Sequence, residues 1–155
     1  MKLTLACALL VFAVAASIQP DHALAADQTE VAFIPHDKTQ AALDNKADIH
    51  LLLADDVAVE GNYRNKPGNP ELHTKQTNIF YITDGSATIV AGGKYQGGKE
   101  ISPGQVRGGT IDGGAVYDLV KGDTIVIPAG SPVWFKEVPS TVSYYVVKIT
   151  KRSPG

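Results

Sequence analysis

Glu71 and His73 are separated by a single residue in the stretch ELHTKQTNIFYITDG, residues 71–85. Side chains on an extended strand alternate from face to face, so these two would point the same way. Asn78 follows shortly after, adding an amide to the carboxylate and the imidazole. Such a trio can move protons, because a carboxylate orients a neighbouring imidazole and the two can divide acid and base roles. It can equally hold a polar ligand. The same residues also suit a solvated surface strand, and their spacing alone does not separate these readings.

The elements that would position the trio are β-type. Ile79 to Ile82 is an apolar strand-like run. Asp84-Gly85 then predicts a tight hairpin, with a return strand over Ala87–Val90. Residues 93–114 form a long glycine-rich connection, with short strands expected at Glu100–Ile101 and Gln105–Arg107. Its glycines do not lie between a strand and a helix, which argues against a phosphate-binding loop. In residues 121–138, a Gly122-Asp123 turn leads into a strand at Thr124–Ile127. A bend at Pro128-Ala129-Gly130 and a strand at Val133–Phe135 follow, and Val142–Ile149 is the last strand.

Upstream, Val31–Ile34 before Pro35 predicts an edge strand. Residues 37–47 predict the one helix, capped by Asp37 or Thr39. Leu51–Leu53 and Val57–Val59 bracket an Asp55-Asp56 turn. His36 and His50 are expected as surface or capping histidines, neither having a partner at site-like spacing. About eight to ten short strands with regular turns point to an all-β sandwich or barrel.

Composition narrows the class. The chain has 155 residues, a formal charge of −2 and 19% charged residues, as one small domain would. Lys and Arg number 14 against 16 acids without a basic run, so no nucleic-acid partner is expected. Lys2, the apolar Leu3–Ile18 and a small-x-small site at Ala23-Leu24-Ala25 make residues 1–25 a signal peptide. The apolar segment is short for a membrane span. Residues 26–155 are then a single exported domain, periplasmic or secreted, with no membrane association after cleavage. The one cysteine, Cys7, lies in the leader, so the mature chain has neither disulfides nor a catalytic thiol.

The two organised stretches together resemble the cupin family. Its second motif is matched by Gly122, Pro128 and Gly130, and its first by His73 and the closing Gly85. The resemblance spans roughly residues 57–149. It implies an all-β fold, a double-stranded β-helix or jelly-roll-like small barrel, with one short N-terminal helix. The chain is further similar to exported single-domain bacterial cupins with a Glu-Leu-His signature. Metal-binding cupins typically hold iron, manganese, nickel or zinc with three histidines and a glutamate. Here Glu71 stands at the first histidine, Asn78 at the glutamate and Val133 at the third histidine. Asn65 and Glu137 replace an opening glycine and an asparagine.

By resemblance, Glu71, His73 and Asn78 remain as metal donors, enough for a weakly bound divalent metal and no other cofactor. The resemblance implies a barrel binding a small polar molecule, such as a sugar or organic acid. Its lining would be Tyr63, Glu71, His73, Asn78, Trp134 and Tyr145, with Trp134 equally suited to core packing. The alternatives are an isomerase or lyase with Glu71 and His73 catalytic, or a structural subunit with a filled interior. The segment Val31–Ile34 is expected to pair with the sheet edge of a second copy, as in a homodimer.

Overall fold

The computed structural model describes residues 31–151 and the backbone of residues 24–25. One helix, α1 (His36–Asp44), precedes a run of strands. Before it comes β1 (Leu24–Ala25); after it come β2 (Ile49–Leu53), β3 (Val57–Arg64), β4 (Glu71–His73) and β5 (Gln76–Ala91). The glycine-rich segment holds β6 (Lys94–Gln96), β7 (Lys99–Ser102), β8 (Gln105–Arg107) and β9 (Thr110–Asp112). The chain ends with β10 (Ala115–Val120), β11 (Thr124–Ile127), β12 (Pro132–Glu137) and β13 (Val142–Thr150). No helix among the described residues is long and apolar enough to cross a membrane.

The long strand β5 organises the sheets. Its first part lies between β13 and β11, and its second between β12 and β10. Outward from β13 come β3, β2 and the parallel β1. Outward from β12 come β4, β8 and β7. The result is a curled sheet whose two walls face each other, as an all-β chain of short strands must do to bury its apolar faces. Phe80, Ile82, Ile89, Val133, Phe135, Val142, Tyr144 and Val146 fill the space between. Phe135 stacks on Tyr144 with centroids 5.1 Å apart, and Phe80 packs against both rings at 5.8 and 5.5 Å.

Three local expectations are corrected. Asp84-Gly85 is not a hairpin: β5 runs through it, bent at a register shift between Ser143 and Tyr144 of β13. The Thr141 carbonyl lies where a Cβ on Gly85 would go, and Gly85 has φ +75°. Glycine is therefore needed here for a bulge that turns the strand from one wall to the other. Residues 31–35 form no strand, and Val31 and Phe33 stand 97% and 77% exposed. The helix is the shorter His36–Asp44, begun by Pro35 with no side-chain cap bond from Asp37 or Thr39. Proline's fixed φ suits a helix start and has no N–H to satisfy. Apart from Leu24 and Ala25, which pair with Leu52 and Leu53, the expected signal peptide lies outside the described residues.

The glycine-rich segment is an arm of two stacked ladders, β6 with β9 and β7 with β8. Gly92-Gly93 lies across from Gly113-Gly114, and Gly97-Gly98 across from Gly108-Gly109. At Gly109, with φ +69°, a Cβ would strike the Gln96 carbonyl. The arm folds back so that β8 pairs with β4, placing Arg107 beside Glu71 and Gln105 beside His73.

Candidate functional site

Alternation on β4 sends Glu71 and His73 inward together, with Nε2 of the ring 3.5 Å from Glu71 Oε2. His73 Nδ1–H donates to Gln76 Oε1 at 3.2 Å, turning Nε2 toward Glu71 and toward the Gln105 amide at 3.5 Å. Asn78 on β5 is only 3% exposed and faces the same space. That space is a cavity of about 300 Å³, near the lower end of small-ligand sites at roughly 300–1,000 Å³. Val133, Phe80, Phe135 and Tyr144 supply its apolar wall.

Charge is arranged in two groups. Around Glu71 stand Arg64, with Nη2 3.6 Å from Oε1, and Arg107, with Nε 3.7 Å from it. Burial alone would raise the Glu71 pKa. The hydrogen bond with His73 and the two guanidinium groups outweigh it and hold this carboxyl below the usual glutamate range. Arg64 also donates through Nε to the Tyr144 hydroxyl at 3.0 Å and lies over the Phe135 ring, 4.7 Å from its centroid. Burial pushes the Tyr144 phenol up to about 12, with Arg64 opposing it only in part. In the second group Glu60 accepts from Lys148 Nζ at 2.7 Å and meets His50 Nδ1 at 3.2 Å. His50 is exposed, as expected of a surface histidine, and reaches Glu60 from the rim of the cavity.

Glu71, His73 and Asn78 come together around one cavity, but Tyr63, Trp134 and Tyr145 do not line it. The reason is common to all three. Asn62 and Arg64 on β3, Val133 and Phe135 on β12, and Tyr144 and Val146 on β13 face the cavity. Period two then turns the residue between each pair outward. Trp134 donates its indole N–H to the Gly68 carbonyl at 2.8 Å. The Tyr145 hydroxyl meets that of Thr39 at 3.3 Å, and Tyr63 lines a separate groove beside α1.

Sequence reasoning missed Glu60, Asn62, Arg64, Gln105, Arg107 and Lys148. The signal for the first three was their alternation on β3, but a polar inward face looks like a solvated one. Gln105 and Arg107 carried no local signal, because only the fold-back of the arm brings them in.

The site's composition does not suit a transition metal. Such ions want several nitrogen or oxygen donors in a tight polyhedron. Among the described residues no three His, Cys, Asp or Glu side chains converge. The Glu71 carboxylate is flanked by two guanidinium cations, which would repel a metal ion placed against it. Val133 presents methyl groups to the same cavity.

A family model described as cupin matches residues 45–153. The chain belongs to the cupin family. Solved structures similar to this cupin include a Bacillus halodurans protein, with TM-score 0.58 and 14% identity over 83% of this chain and 88% of that one. A conserved Streptococcus pyogenes protein of unknown function gives TM-score 0.50 and 16% identity over 83% and 93% of the two chains. The Schizosaccharomyces pombe Cnp3 cupin domain gives 0.50 and 11% over 67% and 60%. At these identities the likeness is one of fold. No curated protein matches the sequence significantly.

Proposed function

We propose that this cupin is an exported protein that binds a small polar molecule inside its barrel. The observation carrying this reading is the cavity of about 300 Å³ inside the barrel, into which charged and amide side chains including Glu71, His73, Asn78 and Arg107 are turned beside an apolar wall. An apolar enclosure with a few convergent polar groups is the usual make-up of a small-molecule site. A thermal-shift screen of the purified protein against a metabolite library, run with chelator, tests the reading. At least one compound should raise the melting temperature by several degrees. A flat response across the library would end it.

A second reading, an isomerase or lyase, is favoured by the 3.5 Å approach of His73 Nε2 to Glu71 Oε2. In it Glu71 would orient the ring and His73 would carry the proton. Turnover of a ligand found in the screen, lost in His73→Ala with binding retained, would establish it.

Location and assembly follow from the same proposal. Cleavage after Ala25 would place the protein in the periplasm or outside the cell, and would remove β1 from the edge of β2. The exposed apolar Val31–Ile34 of a second copy would take that place and make a homodimer. The N-terminus of protein recovered from a periplasmic fraction should be Ala26.

A further inference from the structure

The geometry points to a moving part: we propose that the outer portion of the glycine-rich arm, residues 99–107, is a hinged flap over the cavity. It swings at the doublets Gly97-Gly98 and Gly108-Gly109, lifting Gln105 and Arg107 out of the wall and opening a way to His73. That a guest uses this way rests on the binding reading above; the motion itself does not.

The hinge comes from where the glycines fall. One doublet interrupts the outgoing strand between β6 and β7, and the other interrupts the returning strand between β8 and β9 at the same level. All four residues hold positive φ, 72° and 86° in the first doublet and 83° and 69° in the second. Glycine takes either sign of φ without steric cost, so both strands can unbend here together. The level nearer the barrel is anchored instead, because the Gly92 N–H donates to the Pro132 carbonyl at 2.9 Å. Beyond the hinge the flap is one piece. Glu100 Oε1 accepts from the Gly104 N–H at 2.8 Å and Ser102 donates to Gln105 at 3.1 Å, tying β7 to β8 through their turn.

What shuts the flap is polar. β8 pairs with β4 over three residues, Gln105 to Arg107. The Thr74 N–H and hydroxyl both donate to the Gly104 carbonyl, at 2.8 and 3.3 Å, and the Gly108 N–H donates to the Pro70 carbonyl at 2.9 Å. Arg107 Nε lies 3.7 Å from Glu71, and the Tyr95 hydroxyl donates to the Gly108 carbonyl as a latch across the hinge. Water replaces such bonds at small net cost. No residue of the flap belongs to the buried core, and all four residues of β7 are exposed. Opening therefore gives up little apolar burial, the term that keeps β5 and β13 closed.

Hydrogen exchange of the free protein, read by NMR, tests the motion. The amides of Gln105, Val106 and Arg107 should exchange about tenfold or more faster than those of Phe80 and Val146, at rates little changed by dilute urea. Exchange of β8 in step with β5 and β13 overturns the flap. Access is tested with diethyl pyrocarbonate, a small neutral reagent that acylates imidazole, using the exposed His50 as internal reference. Leu72→Cys and Val106→Cys lie directly opposite each other and point away from the cavity, so a disulfide between them would tether β8 to β4. With the tether oxidised, labelling of the buried His73 should fall about tenfold or more below wild type. Equal labelling means that the reagent enters elsewhere and overturns the flap as the way in. Should the tether not close, Tyr95→Phe carries the comparison. Loss of the latch should speed both β8 exchange and His73 labelling about twofold or more, with the melting temperature held within a few degrees; no change in either overturns the proposal. Neither readout uses a guest, so a flat metabolite screen would end the binding reading while the flap stands.

Discussion

Glu71 is the residue on which the charges of the cavity converge, and its acidity has a consequence for stability. Its carboxyl titrates below the ordinary glutamate range in the folded state, so folding favours the ionised form. The contribution is fully present above the pH at which unfolded glutamates titrate, about 4, and is lost as pH falls through the folded value. Urea unfolding of wild type and Glu71→Gln should therefore show curves that differ at pH 6 and draw together as pH falls below the range in which unfolded glutamates titrate, about 4. Tyr144 works in the opposite direction. With its phenol raised to about 12, its share of stability is intact below the unfolded value near pH 10 and disappears as pH rises through the folded value. In a spectrophotometric titration this tyrosine should ionise last, and Tyr144→Phe should remove that late phase. Truncating its stacking partner, Phe135→Ala, should cost about 3–5 kcal/mol by denaturant unfolding.

At the scale of elements, the bend in β5 decides whether the walls meet. Gly85→Ala would place a methyl group against the Thr141 carbonyl at a backbone angle that side chains rarely adopt. It should cost at least about 2 kcal/mol, seen as a melting temperature lowered by about 5 °C or more. Much of this level was legible in advance. The strands around Gly122, Pro128 and Gly130 fall where their turns imply, and Glu71 and His73 share a face because the period is two. Asp84-Gly85 misled because a dipeptide suited to a hairpin also suits a bulge, and only the close passage of β13 decides between them. The three aromatics assigned to the cavity misled for a related reason. On β3 the apolar set Val57, Val59 and Tyr63 lies opposite the inward Glu60, Asn62 and Arg64. On this one strand the polar set faces inward, the reverse of β12, where Val133 and Phe135 do.

For the whole molecule, the family was legible because the glycine and proline framework records backbone geometry. The chemistry was less so, since every charged residue lining the cavity except Glu71 lies outside the 71–85 stretch. The balance of charge predicts how the protein treats metal. Chelator should leave its melting temperature unchanged within about 1 °C, and added zinc, manganese or nickel should give no stoichiometric binding by elemental analysis. Self-association is tested by light scattering of the mature protein. A dimer is expected, reduced to monomer when Val31 and Phe33 are both replaced by aspartate.

The arm between β5 and β10 joins the barrel through matched glycine doublets and contributes two side chains, Gln105 and Arg107, to the cavity wall. It donates nothing to the packed aromatic centre. Changes at its tip would therefore alter which guest is accepted while the host's own folding is spared, so that selectivity and durability could drift independently across descendants of this chain.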